Sequence, residues 1–160
     1  MAIPCAHTAA LSPGLSGPDL AAELAAADRR CAAASARLTA PRRRALEMLL
    51  AAGQPVKAYD LLGRFRDGDR PARPPTVYRA LDFLERQGLV HRIESLNAFV
   101  ACRRAARAHP AAFLICDCCG ATAEVEPAAE QLADALGEAA GYALSRVLIE
   151  AHGLCAACRG

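Results

Sequence analysis

Two pairs of cysteines near the end of the chain constrain its fold more than any other feature. Cys116 and Cys119 form one C-x-x-C motif, and Cys155 and Cys158 form a second. Two such motifs can supply four thiolates to one tetrahedral zinc ion with no open coordination position, which is typical of a structural site. Such a zinc ion would tie the chain end to the segment before Cys116. Cys118 could also chelate, but Cys119 keeps the usual two-residue gap, so we interpret Cys118 as a spare thiol that could be redox-sensitive.

The surrounding sequence favours metal binding over disulfides for these thiols. The segment Met1–Pro18 has no Lys or Arg before its apolar residues, so it lacks the basic start of a secretory signal. No apolar run approaches the roughly 18 residues that a membrane span needs. Disulfides are rare in the cytoplasm, whereas clustered thiols there commonly bind metal. We therefore expect a cytoplasmic protein with no membrane partner, in which residues 1–18 form a disordered tail.

Charge is distributed unevenly along the chain. Residues 29–92 contain 14 Lys/Arg against 6 Asp/Glu, whereas residues 102–160 contain 5 against 7. A basic half joined to a mildly acidic half indicates that only the first half meets a polyanion. Taken alone, this bias is equally compatible with a solvated, arginine-rich surface.

Apolar periodicity in the first half predicts helices followed by a hairpin. We expect four helices: the first over Asp19–Arg37, the second between Thr39 and Gly53, the third over Ala58–Phe65, and the fourth from near Pro75 to before Gly88. The buried stripe of the fourth helix should be Val77, Ala80, Leu81 and Leu84, and a polar loop over Arg66–Pro74 should precede it. Strands are expected over Leu89–Glu94 and Ala98–Cys102. This order is typical of a winged helix-turn-helix, which places one helix in the major groove of DNA. The alternative is a small helical bundle without a DNA role.

Four residues of this half are candidates for DNA contact. Thr76 and Arg79 lie three residues apart on the fourth helix and should share an exposed face. Tyr59 and Tyr78 could contact DNA, but they could equally be half-buried packing residues.

The second half predicts a small α/β domain. Strands are expected over Ala111–Cys116, Ala121–Glu126 and Tyr142–Ala151, with a helix that begins at Pro127 and ends at Gly141. A three-stranded sheet leaves its edges exposed, and a second copy of the chain could cover an edge and enlarge the core. The whole chain is therefore α+β, and we expect a homodimer.

A second group of potential ligands flanks the segment between the two halves. It comprises His91, Cys102, His109 and Glu124. Any one of these residues alone would be an ordinary surface or core residue. Their spacing in the sequence leaves open whether the four share one metal site. Two imidazoles, one thiolate and one carboxylate suit zinc, whereas iron and manganese sensors favour histidine and oxygen ligands.

Three segments together resemble a known family. They are AYDLL at Ala58–Leu62, PTVYRALDFLERQGLVHRIES within Pro74–Leu96, and IEAHGLCAAC at Ile149–Cys158. In order, spacing and context they are similar to the ferric uptake regulator family, and within it to the zinc uptake regulator branch. The resemblance covers about Leu38 to Cys158.

The resemblance implies a zinc-responsive transcriptional repressor that binds operator DNA as a zinc-loaded homodimer and represses zinc-uptake genes. It implies a winged-helix DNA-binding domain at 19–102, a hinge at 103–110 and a dimerisation domain at 111–160. Two zinc ions per chain are implied. The residues matching the family's functional positions are the structural zinc ligands Cys116, Cys119, Cys155 and Cys158, the regulatory ligands His91, Cys102, His109 and Glu124, and the DNA-contacting residues Tyr59 and Arg79.

Other classes of function fit the sequence less well. A zinc deaminase would carry paired H-x-E and P-C-x-x-C motifs, which this chain lacks, so we expect neither an enzyme nor a small-molecule substrate. A sibling sensor for iron, peroxide or nickel and a zinc-stabilised interaction module without a DNA role remain as alternatives. The chain has no histidine-rich tail, which leaves His152 as a weak candidate for a third metal site.

Overall fold

The structure, a computed structural model, describes residues 14–67, 70–102, 110–125, 127–144 and 147–159. It divides into two compact units, of which the first spans Pro13–Arg107 and the second contains Ala108–Gly160. Residues 1–13 of the predicted tail and 103–109 of the predicted hinge lie outside the described residues, so both stay predictions, although Gly17 and Pro18 already belong to the first helix. In the described part of the chain, no helix is long and apolar enough to cross a membrane.

The first unit contains four helices and five short strands. The strands form a three-stranded sheet of order β1-β5-β4 and a separate β2-β3 pair. The elements are α1 (Gly17–Ala33), α2 (Ala40–Ala52), β1 (Val56–Lys57), α3 (Ala58–Arg64), β2 (Arg66–Asp67), β3 (Arg70–Pro71), α4 (Pro74–Arg86), β4 (Val90–Ile93) and β5 (Ala98–Ala101).

The helices of this unit form around one apolar core. Gly53 ends α2 in the left-handed conformation, with φ of 63°, and its N–H donates to the carbonyl of Leu49. Thr39 is the N-cap residue of α2, although its hydroxyl makes no capping hydrogen bond.

The predicted stripe of α4 is buried, and Phe83 joins it. The core is built mainly from Leu24, Leu46, Leu49, Leu61, Phe65, Val77, Leu81, Leu84, Leu89 and Phe99.

The hairpin after α4 forms the predicted wing. β4 and β5 pair antiparallel with His91 opposite Val100, and Asn97 takes a φ of 47° in the turn between them. β1 adds a third strand by pairing Val56 with Phe99. We did not predict β1, because a two-residue strand shows no alternation. The predicted loop after α3 also contains a short antiparallel pair, β2 and β3. The winged helix-turn-helix prediction is confirmed.

The second unit is the predicted three-stranded α/β domain. It contains β6 (Ala111–Cys116), β7 (Thr122–Val125), α5 (Pro127–Ala140) and β8 (Leu148–Gly153). The sheet has the order β7-β6-β8, in which β7 is antiparallel and β8 parallel to the central strand β6.

The prediction for the last strand was wrong at both ends. It was expected over Tyr142–Ala151, but β8 begins at Leu148 and continues to Gly153. A parallel strand must start beside the start of its neighbour, and Leu148 lies opposite Ala111. The residues between α5 and β8 therefore connect the helix to the end of the sheet at which β6 begins.

Candidate metal and DNA-binding sites

The end of the sheet in the second unit brings both C-x-x-C motifs together. Because β6 and β8 run parallel with Cys116 opposite Gly153, the loops that follow both strands meet at one edge. One sulfur from each of Cys116, Cys119, Cys155 and Cys158 lies within 4.8 Å of the others. The Sγ atoms of Cys119 and Cys155 are 3.8 Å apart, and the backbone N–H of Cys155 donates to Cys116 Sγ at 3.3 Å. Four sulfurs at these separations fit a single tetrahedral ion.

Backbone hydrogen bonds hold each motif in a tight turn. The N–H of Gly120 donates to the carbonyl of Cys116, and that of Cys158 donates to the carbonyl of Cys155, both at 2.9 Å. Asp117 N–H donates across to the carbonyl of Gly153 at 2.8 Å. These bonds set the direction in which each turn presents its sulfurs.

The thiols of Cys116 and Cys158 differ in pKa, so they do not ionise together at neutral pH. Backbone N–H groups, first of Cys119 and then of Cys155, lower the pKa of Cys116 to about 6. Burial, and then the neighbouring thiols Cys155 and Cys119, raise the pKa of Cys158 to about 12. The first thiolate is therefore formed near neutral pH, and it opposes the formation of the last. A divalent cation removes this repulsion, and a sulfur-only tetrahedral set favours zinc.

Cys118 and His152 are the other candidate ligands near these two motifs in the sequence. Cys118 is exposed and lies outside the cluster, and its sulfur is disulfide-bonded, so it is not the spare thiol that we expected. His152 Nδ1 lies 3.0 Å from Asp117 Oδ1, and both side chains are exposed. Asp117 is thus the contact that the structure shows for the imidazole of His152.

The second predicted ligand set can be located only in part. In the first unit, His91 lies on β4, and the buried Cys102 follows β5 and extends the hairpin through an N–H bond to the carbonyl of Leu89. Their potential ligand atoms lie within 4.8 Å of each other. Glu124 lies on β7 of the second unit, paired with Phe113. His109 lies outside the described residues.

The candidate DNA-contacting residues lie on the outer surfaces of α3 and α4. Tyr59 is 81% exposed, so it is not the half-buried packing residue of the alternative interpretation, whereas Tyr78 is 47% exposed and fits both interpretations. Arg79 is exposed and Thr76 is partly exposed. The opposite side of α4 packs into the core, so the face that carries these residues points away from the core.

Some arginine side chains of this unit make contacts within the protein. The guanidinium of Arg42 lies 3.6 Å from the centroid of the Phe83 ring. Arg43 pairs with Asp28, which joins α2 to α1, and Arg44 pairs with Glu47 at 2.8 Å. Arg42 and Arg43 therefore contact neighbouring helices, whereas Arg44 pairs within α2, which the charge bias alone could not distinguish from DNA binding.

Comparison with known proteins identifies the family. The model of the ferric uptake regulator family matches residues 33–152. This chain belongs to that family. Over 137 residues it is 44% identical to the zinc uptake regulation protein of Escherichia coli K12, a match that covers 84% of this chain and 80% of the relative. The chain is a regulator of this family and not an enzyme.

Solved structures from the family agree with the fold. A zinc uptake regulator complexed with zinc and DNA is 42% identical, with a TM-score of 0.79, and the match covers 89% of this chain and 97% of that one. The holo form of a protein called XcZur is 44% identical, with a TM-score of 0.72, over 84% of this chain and 95% of that one. The predicted α+β fold class is confirmed.

Proposed function

We propose that this family member is a zinc-responsive transcriptional repressor that binds operator DNA as a zinc-loaded homodimer and represses zinc-uptake genes. The observation that carries the proposal is the match, over 89% of the chain, to a zinc uptake regulator complexed with zinc and DNA. The 44% identity to the zinc uptake regulation protein supports the same function. Because a repressor must reach genomic DNA, we place the protein in the cytoplasm.

The DNA contact is assigned to the exposed face of α4 and the start of α3. In this proposal α4 enters the major groove, where Arg79 can donate two hydrogen bonds to a guanine. Thr76 and Tyr78 lie on the same helix, and Tyr59 adds a ring and a hydroxyl from α3. The exposure of Tyr59 and Arg79 supports the assignment, since neither side chain is taken up by the core.

The structural zinc is assigned to Cys116, Cys119, Cys155 and Cys158. Bound there, zinc would supply charge neutralisation and a cross-link, and a closed set of four sulfurs leaves no position for a substrate. The clustered sulfurs and their opposed pKa shifts support this assignment.

The regulatory zinc is assigned to His91, Cys102, His109 and Glu124. The proximity of His91 and Cys102 on the wing supports the first half of this set, and the family resemblance supports the rest. The thiolate of Cys102 favours zinc over iron or manganese. Since these ligands come from both units, zinc would limit how the two units can be arranged, and only some arrangements fit a two-fold operator.

A homodimer is supported by the apolar surface of the second unit. On α5, Leu132 is 44% exposed and Leu136 is 50% exposed, although a single helix normally turns its leucines inward. β7 and β8 are both edge strands of the small sheet. A second copy that covers this surface would bury the leucines and protect an edge.

The function is tested by DNA binding of the full chain with different metals. The probe is a duplex selected from a random-sequence pool by the zinc-loaded protein, and binding is measured with zinc, iron(II), manganese(II) or a chelator. We expect zinc alone to tighten binding, by about 5- to 150-fold for an allosteric effector. A stronger response to iron or manganese would identify a sibling sensor instead. Failure to select any duplex would indicate an interaction module without a DNA role.

A further inference from the structure

The exposed face of α4 carries one acidic side chain among its basic and aromatic residues. Pro75, Tyr78, Arg79, Asp82 and Arg86 are exposed and, at 3.6 residues per turn, lie on one side of the helix. Asp82 follows Arg79 by three residues and precedes Arg86 by four. It therefore lies in the middle of the surface that the proposed function directs toward DNA.

Asp82 is not explained by contacts within its own unit. Its carboxylate makes no ion pair or hydrogen bond in the part of the chain that the structure describes, even though Arg79 and Arg86 are its helical neighbours. Two other acids of this unit are paired, Asp28 with Arg43 and Glu47 with Arg44. Asp82 is also too far along α4 to stabilise the helix N-terminus, where negative charge is favourable.

A carboxylate in this position is unfavourable for general DNA binding. DNA carries one negative charge per about 1.7 Å of helix axis, so Asp82 would be repelled at every register. The cost is offset only where the carboxylate meets a hydrogen-bond donor. In the major groove, such donors are exocyclic amino groups, and aspartate pairs best with N4 of cytosine.

We propose that Asp82 is a specificity-determining residue that accepts a hydrogen bond from cytosine N4 and penalises duplexes lacking cytosine at that position. The inference rests on the proposed function, because it requires α4 to lie in the major groove. It assigns to Asp82 the acceptor role, and to Arg79, one turn earlier, the donor role toward guanine. A donor at i and an acceptor at i+3 can contact neighbouring base pairs with opposite requirements.

The test replaces Asp82 and measures base preference. The probe is the duplex selected by the wild-type protein, together with variants in which each base pair is changed in turn to the other three. With zinc bound, Asp82→Ala should lose the preference for cytosine at one position in each half-site, where the wild-type protein discriminates by about tenfold. Asp82→Asn should instead favour adenine there, because an amide pairs with adenine N6 and N7.

A control variant and a folding measurement distinguish a loss of base preference from a general effect of the substitution. Asp19→Ala removes the same exposed charge from the first turn of α1 and should leave all base preferences unchanged. Circular dichroism should show the same folded helix content for both alanine variants, since Asp82 is exposed. An unchanged preference of Asp82→Ala at every position would overturn the proposal. So would uniformly tighter binding with unchanged preferences, because Asp82 would then act through its charge alone. A wild-type protein that selects no duplex would instead contradict the proposed function.

Discussion

At the scale of single residues, the four clustered thiols are chemically unequal. The low pKa of Cys116 and the high pKa of Cys158 arise from different neighbours, backbone N–H groups for the first and burial with adjacent sulfurs for the second. A metal ion would therefore meet the Cys116 thiolate already formed at neutral pH and would displace the proton of Cys158. Zinc binding at this cluster should accordingly weaken as the pH falls, and more steeply below about 6, where Cys116 also becomes protonated.

Replacing Cys116 tests the structural site. Cys116→Ser should release the zinc held by the four cysteines, because a serine hydroxyl stays protonated where the thiol ionises. Structural zinc contributes on the order of 10 kcal/mol to the folding of small zinc domains, so the second unit should unfold or lose its partner. Zinc content by mass spectrometry and molecular mass by light scattering measure both effects. Cys118→Ser breaks a disulfide but removes no proposed zinc ligand, so it should leave the zinc content unchanged. A Cys116→Ser dimer with full zinc content would contradict the assignment.

Sequence spacing predicted the cluster of metal-binding cysteines, but it did not predict contacts that depend on how the helices pack. The four-cysteine cluster was predictable because a C-x-x-C turn is local and its chemistry is specific. The pairing of Arg43 with Asp28 was not, since it depends on how α1 packs against α2. For Tyr59 the sequence left two interpretations open, and only its exposure in the structure decides between them.

At the scale of elements, α5 has an apolar face that its own unit does not fill. Ala133 is buried, whereas Leu132 and Leu136, one turn apart, are largely exposed. The sheet below the helix has only three strands, so it is too small to cover the whole face. This surface is where we expect the partner subunit.

A charge on this face should weaken the dimer. Leu136→Asp removes apolar burial worth about 1.5 to 3 kcal/mol, and a two-fold interface contains the position twice, so dimerisation should weaken by at least about 3 kcal/mol. Sedimentation velocity over a range of concentrations measures the change. Gln131→Asp adds the same charge to α5 away from the leucines and should leave the dimer intact. Equal dimer affinity in the two variants would place the interface elsewhere.

The elements themselves were predictable to the extent that their signals were local. β6 and the start of α5 were predicted correctly, because a buried apolar run and a proline mark them. α1 was expected to continue to Arg37 but ends at Ala33, where no glycine or proline signals a stop and Ser35 takes a φ of 53°. The start of β8 depends on its pairing with β6, which no local pattern contains.

At the scale of the whole molecule, the two proposed zinc sites differ in how their ligands are assembled. The four cysteines belong to one unit and are held by turns on one sheet edge. The regulatory set would draw His91 and Cys102 from the wing and Glu124 from the second unit, so binding there must overcome the entropy of ordering separate segments. With one thiolate instead of four, the regulatory site should release its zinc first to a chelator.

Cys102→Ser should therefore give a folded dimer that keeps the structural zinc but no longer gains DNA affinity when zinc is added. By linkage, zinc that tightens DNA binding must itself be held more tightly by the DNA-bound dimer, with coupling of about 1 to 3 kcal/mol. Titrating zinc into the protein with and without the selected duplex measures this coupling. It should be present in the wild-type protein and absent in Cys102→Ser and His109→Ala. Cys118→Ser, which removes a disulfide and no proposed zinc ligand, should keep the coupling. A zinc response of Cys102→Ser equal to wild type would rule out the two-unit switch, even in a protein that represses.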